Sequence, residues 1–310
     1  LHKEYRRQRQ MCIRDRDKII MQTIRYELIP AQGTEGQVAV ITFDETNSPV
    51  NTMCRQWQQE LGEVTAQVLG DRERLGTALK GIVLASAKTS FFAGADLKAT
   101  MRLTPADAPN AFGEIERMKK HFRTLETLGI PVVACLNGAA LGGGWEVALV
   151  AHYRIAVADP KIQFGLPEVT LGLMPGATGV TKMTRLLGLM GAQPYILEGK
   201  LFNPAEALEL QLVHELVATR EQLLPAALAH IATHPHAVQP WDDKNYKMPG
   251  GTPANPKIAG ALTVAPAMLK KTTRGRYPAP EAALAAMVEG AMVDYDCLLY
   301  TSDAADDTPC

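Results

Sequence analysis

Two glutamates stand in glycine-rich or apolar surroundings that suit acid–base chemistry. Glu146 ends the stretch Asn137-Gly138-Ala139-Ala140-Leu141-Gly142-Gly143-Gly144-Trp145-Glu146. Glu168 ends Phe164-Gly165-Leu166-Pro167-Glu168 and is followed by Leu171-Gly172-Leu173-Met174-Pro175-Gly176. Successive glycines allow close backbone approach and positive φ. A helix starting just after them would turn free N–H groups and a positive dipole end toward developing negative charge, with Glu146 in its first turn. Burial of Glu168 without a partner would raise its pKa. Two such carboxylates brought together give one proton donor and one acceptor near neutral pH. A third stretch, Phe92-Ala93-Gly94-Ala95-Asp96, can offer a further backbone N–H to a carbonyl oxygen. Each stretch alone also fits a structural role. Glu146 can answer the helix dipole, Glu168 can pair with Lys161 or Lys182, and Asp96 can cap the next helix. The glycine loop carries neither the G-x-G-x-x-G of dinucleotide sites nor the G-K-[ST] of a P-loop.

The elements that must position these residues alternate between strands and helices. Val38–Phe43 (VAVITF), Gly81–Ser86 (GIVLAS), Pro131–Leu136 (PVVACL) and Tyr153–Ala158 (YRIAVA) read as strands. Trp57 to Leu69 has helical spacing, Pro105 to Leu128 reads as a charged helical insertion, and Trp145–Ala151 as a helix leaving the glycine loop. This alternation predicts an α/β layered fold. Beyond Leu201, Asn203–Leu216 reads as a helix capped by Asn203 with Pro204 at its first position. Gln239–Pro256 is a Pro- and Gly-rich loop or linker, and Ile258–Leu269 and Glu281–Val293 are alanine-rich helices.

Composition narrows the class. The chain has 310 residues, 46% hydrophobic and 21% charged, with a formal net charge of −1. No whole-chain field recruits nucleic acid or anionic lipid. No apolar run reaches the roughly 20 residues of a membrane span, and Leu1 to Arg16 lacks the apolar segment of a secretory signal. Both ends invite exclusion from the fold. Met11–Arg16 (MCIRDR) and Cys297–Ser302 (CLLYTS) can be coded by one DNA element read in opposite directions, and it resembles a transposon end used in sequencing libraries. The expected division is therefore an extraneous or disordered tail over 1–16, a catalytic core over 17–220, C-terminal helices and linker over 221–296, and an extraneous tail over 297–310. Setting the tails aside leaves Cys54 and Cys135, with no metal-like spacing and no disulfide framework, which fits a reducing cytoplasm.

Taken together, the A-G-A-D turn, N-G-x-A-x-G-G-G-x-E, and G-L-P-E-V followed by G-L-x-P-G resemble the crotonase superfamily. Order and spacing match over roughly Val38 to Val217. The stretches Gln239-Pro240-Trp241-Asp242 and Lys247-Met248-Pro249-Gly250-Gly251 look like the linker region of bifunctional fatty-acid oxidation proteins, with the dehydrogenase fingerprint absent. The resemblance implies a crotonase-like ββα spiral with a C-terminal helical region. It implies hydration of 2-enoyl-CoA to 3-hydroxyacyl-CoA, with possible Δ3–Δ2-enoyl-CoA isomerisation. Glu146 and Glu168 then match the acid–base pair, the backbone N–H groups of Ala95 and Gly143 the oxyanion hole, and Gly176 the placement of water. Ala93, Gly94, Asp96, Gly142 and Pro175 match positions around the coenzyme A substrate. No separate cofactor or metal is implied. The partners implied are the acyl-CoA substrate and further copies of the chain, or a thiolase subunit in a longer form; no nucleic acid and no membrane segment are implied. Alternatives are another acyl-CoA isomerase or hydrolase of this kind, or a non-catalytic acyl-CoA-binding fragment. Three places depart from the common pattern. Thr178 replaces a glycine, Val180-Thr181-Lys182 replace Thr-Gln-Arg, and Trp145 is bulkier than usual, so it either narrows the acyl tunnel or fills core.

Overall fold

The computed structural model describes residues 18–300, with side chains described up to 297. The expectations for 1–16 and 301–310 lie outside the described residues. Cys297 to Tyr300 fall in the last helix, Tyr295–Tyr300.

Among the described residues, nine strands form two sheets. The larger runs β1-β2-β3-β4-β5-β7-β9. It begins with an antiparallel meander, β1 (Lys18–Ile20), β2 (Ile24–Pro30) and β3 (Gln37–Phe43). It continues in parallel through β4 (Leu79–Ser86), β5 (Val132–Leu136), β7 (Tyr153–Val157) and β9 (Glu215–Val217). The smaller sheet pairs β6 (Ala140–Leu141) with β8 (Phe164–Gly165).

The near-continuous apolar strands are explained by burial of both sheet faces. Side chains alternate between two cores as the pleat requires. Ala39, Ile41, Phe43, Ile82, Leu84, Val132, Ala134 and Leu136 enter the larger core. Val38, Val40, Val83, Val133 and Cys135 enter the smaller one. Burial pushes the Cys135 thiol up to about 12, so it stays protonated packing material. On the larger side α1 (Arg55–Leu75) lays Trp57, Leu61, Val64 and Val68 against the sheet. Trp57, Phe43 and Phe92 interlock there, with Phe92 5.4 Å from Phe43 and 5.2 Å from Trp57, both edge-on. Next come α2 (Ala108–Glu126), α3 (Gly143–Ala148) and α4 (Gly179–Gly191). The smaller core is closed by α5 (Leu223–Thr233) through Leu223, Ala227 and Ile231. Helices α6 (Pro256–Thr273), α7 (Pro278–Gly290) and α8 (Tyr295–Tyr300) end the described chain, α7 packing along α4.

Two sequence readings need correction. The helix expected over Asn203–Leu216 stops at Glu209, although Asn203 and Glu206 form the capping box that starts it. Gln211 turns the chain with φ 58°, and Glu215–Val217 then pairs with the open edge of β7. Edge pairing outweighs the helical pattern there because unpaired strand N–H and C=O groups are costly. The helix expected at Trp145–Ala151 starts at Gly143 and ends at Ala148. The loop expected over Gln239–Pro256 is present, with a short helical turn at Pro240–Asp242 and further turns closed by the N–H groups of Tyr246, Gly251 and Asn255, and side chains pin it to the core. Gln239 donates to Val150 O at 3.0 Å, and the Tyr246 hydroxyl to Arg185 O at 2.7 Å.

Candidate active site

Glycine packing fixes the backbone around Glu146. Gly144 lies so close to Phe92 that an added Cβ would stand 2.2 Å from the Phe92 carbonyl oxygen. Gly142 adopts φ 55° and donates to Gly165 O at 2.8 Å, which ties the glycine loop to β8. Phe92 and Ala140 form an isolated bridge, bringing the Ala93–Asp96 turn to the same loop. Gly94, with φ 99°, packs over Leu141 O and beside Gly143 N. The three stretches singled out in the sequence thus converge. Among the described residues, the N–H groups of Ala95 and Gly143 donate to no protein acceptor. Met53 closes one side, its sulfur packed against Gly143, while its own N–H bonds Gly94 O at 2.9 Å.

The two carboxylates are held differently, Glu168 against the glycine loop and Glu146 against the Ala177–Gly179 turn. Glu146 is 2% exposed. Its Oε1 accepts from Ala177 N at 2.8 Å and Gly179 N at 2.7 Å. Burial raises its pKa, and those two N–H groups and the field of Lys182 only partly offset the rise. Glu168 starts from the short turn Pro167–Leu171 and is half-buried. Its Oε1 lies against Gly142, and its buried Oε2 has no hydrogen-bond partner among the described residues. Burial first, and the nearby Glu146 charge second, push Glu168 up to about 8. At neutral pH it is therefore largely a proton donor. Neither lysine considered as its partner serves it. Lys161 is exposed, and Lys182 is bonded to Glu126.

Other sequence-selected residues fall as follows. Gly176 is half-buried beside Ile115 of α2, and Pro175 is buried. Ala93 is exposed, its N–H bonded to Asn51 O at 2.9 Å. Asp96 caps the short helix Leu97–Thr100 by accepting from Ala99 N at 3.1 Å. Trp145 fills core: it is fully buried, stacks on Phe164 at 5.3 Å and donates to Met183 sulfur at 3.3 Å. Sequence reasoning missed the Ala177 and Gly179 donors, Met53, and the Lys182–Glu126 pair. Gly179 carried one signal, since a Cβ there would stand 2.8 Å from Glu146 Oε1. Among the described residues no group of three or more His, Cys, Asp or Glu could hold a metal ion, and no helix is long and apolar enough to cross a membrane.

Two free N–H groups and two unequal carboxylates brought close together can stabilise an oxyanion and move protons at a neighbouring carbon. The enoyl-CoA hydratase/isomerase family model matches residues 33–239, a span that contains all of these groups. The chain belongs to the enoyl-CoA hydratase/isomerase family. Over 247 residues it is 36% identical to a fatty acid oxidation complex subunit alpha of Shewanella halifaxensis, covering 78% of this chain and 33% of that protein. The corresponding subunit of Shewanella loihica is 36% identical over 245 residues, with 79% and 33% covered. The chain therefore spans about a third of the length of the curated relatives it matches. Among solved structures, an enoyl-CoA hydratase subunit from Geobacillus kaustophilus superposes with a TM-score of 0.54 at 27% identity, covering 69% of this chain and 76% of that one. The mixed α/β architecture is that of crotonase-type enzymes.

Proposed function

We propose that this chain hydrates a 2-enoyl-CoA thioester to the 3-hydroxyacyl-CoA. The observation that carries the reading is the unequal carboxylate pair beside two free N–H groups. The thioester oxygen accepts from Ala95 N and Gly143 N. Negative charge that develops there as water attacks C3 meets donors already in place, and one such donor is worth about 10²–10³ in rate in other enzymes. Glu146, ionised and held by Ala177 and Gly179, takes a proton from the attacking water, which Gly176 N–H helps place. Glu168, protonated near neutral pH, delivers its proton to C2. Water supplies the hydroxyl at C3 and, through the pair, the hydrogen at C2. No separate cofactor enters, because coenzyme A is part of the substrate; Ala93, Gly94, Asp96, Gly142 and Pro175 line its approach.

The same site supports a second reaction, Δ3–Δ2 isomerisation. The unpartnered Oε2 of Glu168 favours it, because the minor ionised fraction of Glu168 can take a proton at C2 and return it at C4. Both reactions belong to fatty-acid oxidation in the cytoplasm. The chain acts as a homo-oligomer or, within a longer polypeptide, beside a thiolase subunit.

The test is hydration of crotonyl-CoA and of a longer 2-enoyl-CoA by the purified chain, followed as loss of the conjugated double bond, with a 3-enoyl-CoA as the isomerase substrate. Saturable turnover of a 2-enoyl-CoA is expected. No turnover of either 2-enoyl substrate, with CoA thioester binding intact, would overturn the hydratase reading.

A further inference from the structure

The two free N–H groups of the site belong to segments that separate just before the donors. The last hydrogen bond between these segments runs from Leu141 N to Phe92 O at 3.1 Å. Beyond it Gly94 turns with φ 99° and Gly142 with φ 55°. Among the described residues, no hydrogen bond joins the Ala93–Asp96 turn to Gly142 or Gly143. Glycine is the residue least able to hold such a course by itself. Two of the three loop glycines are held by backbone. Gly142 N donates to Gly165 O at 2.8 Å, and Gly144 packs on the Phe92 carbonyl. Gly143 is covered by a side chain instead. A Cβ there would stand 2.5, 2.9 and 3.4 Å from Sδ, Cε and Cγ of Met53.

Met53 also holds the segment that carries the other donor. Its N–H donates at 2.9 Å to the carbonyl of Gly94, the residue before Ala95. Two residues earlier in the chain, Asn51 O accepts from Ala93 N at 2.9 Å. The strap formed by Asn51, Thr52 and Met53 is itself firmly tied. The buried Asn51 amide donates to Ser86 Oγ at 2.9 Å and Phe91 O at 3.1 Å. Thr52 donates to the Glu45 carboxylate through both its N–H and its hydroxyl, and the Met53 carbonyl accepts from Gln58 at 3.2 Å.

We propose that Met53 is a positioning residue that sets the spacing of the oxyanion hole, its N–H fixing the Ala95 segment while its thioether braces Gly143. The proposal rests on the reading of Ala95 N and Gly143 N as donors to the thioester oxygen. An unbranched thioether suits the task, because it fills an irregular gap over bare backbone. Leucine reaches the same δ position with little change of volume, whereas alanine stops at Cβ and leaves Gly143 uncovered.

The variants are Met53→Ala and Met53→Leu, with Met287→Ala on α7 as the control for losing a buried methionine. Three quantities are read: the circular dichroism melt, kcat and KM for hydration of crotonyl-CoA, and the isotope-edited infrared stretch of ¹³C-carbonyl butyryl-CoA bound to the protein. The fall in that stretch on binding reports how well the donors meet the carbonyl oxygen. Wild type is expected to show the fall. Met53→Ala is expected to lose much of it and to lower kcat about tenfold, a part of the roughly 10²–10³ that removing a whole donor costs. KM should change far less, because misplaced donors act chiefly on the transition state. Met53→Leu should restore both the stretch and kcat. Met287→Ala should lower the melt and keep the wild-type stretch. If Met53→Ala does not fold, Met53→Val, which also stops short of the δ position, is read in its place. A folded short variant with the wild-type stretch overturns the proposal alone, whatever its kcat. A wild-type chain that binds butyryl-CoA with no fall in the stretch sinks the donor reading itself, and the proposal with it.

Discussion

Glu60 and Glu168 are both carboxylates placed among apolar residues, and they have opposite fates. Glu60, on α1 and 2% exposed, accepts from Gln22 N, Thr23 N, Ile24 N, the Thr23 hydroxyl and Gln56. Burial pushes its pKa up, but those hydrogen bonds more than offset it and leave the group below the ordinary carboxylate range. It is a fixed anion that closes the β1–β2 turn against α1. Glu168 has an oxygen with no partner, and burial together with Glu146 pushes it up to about 8. Burial alone therefore does not make a carboxylate reactive. The supply of donors decides whether a buried glutamate holds structure or trades a proton.

The sharpest way to break this comparison is to neutralise each carboxylate. Glu168→Gln and Glu146→Gln are each expected to lower kcat for hydration by about 10²–10⁴ while the protein stays folded, since general acid–base groups typically contribute that much. Glu60→Ala is expected to leave the kcat of folded enzyme near wild type but to cost on the order of 3 kcal/mol of stability, because hydrogen bonds to a buried charge go with it. Steady-state kinetics beside urea unfolding separates the two outcomes; a catalytic loss in Glu60→Ala as large as in Glu168→Gln would erase the distinction.

A smaller effect comes from crowding one carboxylate at a time. A Cβ at Gly179 would stand 2.8 Å from Glu146 Oε1, and one at Gly142 would stand 2.7 Å from Glu168 Oε1. Gly179→Ala is expected to lower kcat by about 10²-fold with little change in KM, because a misplacement near 1 Å can cost that much. Gly142→Ala adds backbone strain at φ 55°, so its loss of activity should come with a lower melting temperature. Equal melting temperatures for the two variants would refute the strain argument.

The pH dependence of stability has opposite signs at the two sites. Glu168 is raised from 4.5 to about 8, so the folded state binds the extra proton, and stability falls as pH rises between those values. Glu168→Gln should flatten that fall. Glu60 is lowered below 4.5, so its contribution is present above 4.5 and is lost as pH falls through the folded pKa. Urea midpoints measured from pH 3 to 9 for the two variants test both signs. The smallest expected effect is at Thr178, whose φ of 97° suits glycine. Thr178→Gly should raise stability by about 1 kcal/mol through relief of backbone strain, read as a higher urea midpoint.

Much of the site was legible because its chemistry is local. The glycine spacing before Glu146 and the A-G-A-D turn announced close backbone approach, and Phe92, Leu141 and Gly144 do pack at distances that only glycine permits. The strands at Val38–Phe43, Gly81–Ser86 and Pro131–Leu136 were equally plain, because both their faces are apolar. Other elements were not. The strand β2 (IRYELIP) mixes charge into a partly exposed face, and β9 borrows its identity from the edge of β7. Their hydrogen-bond partners lie far along the chain, where local pattern carries no information.

The sequence by itself determined the α/β layering and the glycine-rich and apolar settings of the two glutamates, because glycine conformations and apolar alternation act over a few neighbouring residues. Only the tertiary structure decided which carboxylate is held and which is left free. That choice depends on Ala177 and Gly179, whose N–H groups reach Glu146 from another part of the chain. A carboxylate's proton affinity is set by the charges and donors a few ångströms away in space, whatever their distance in sequence.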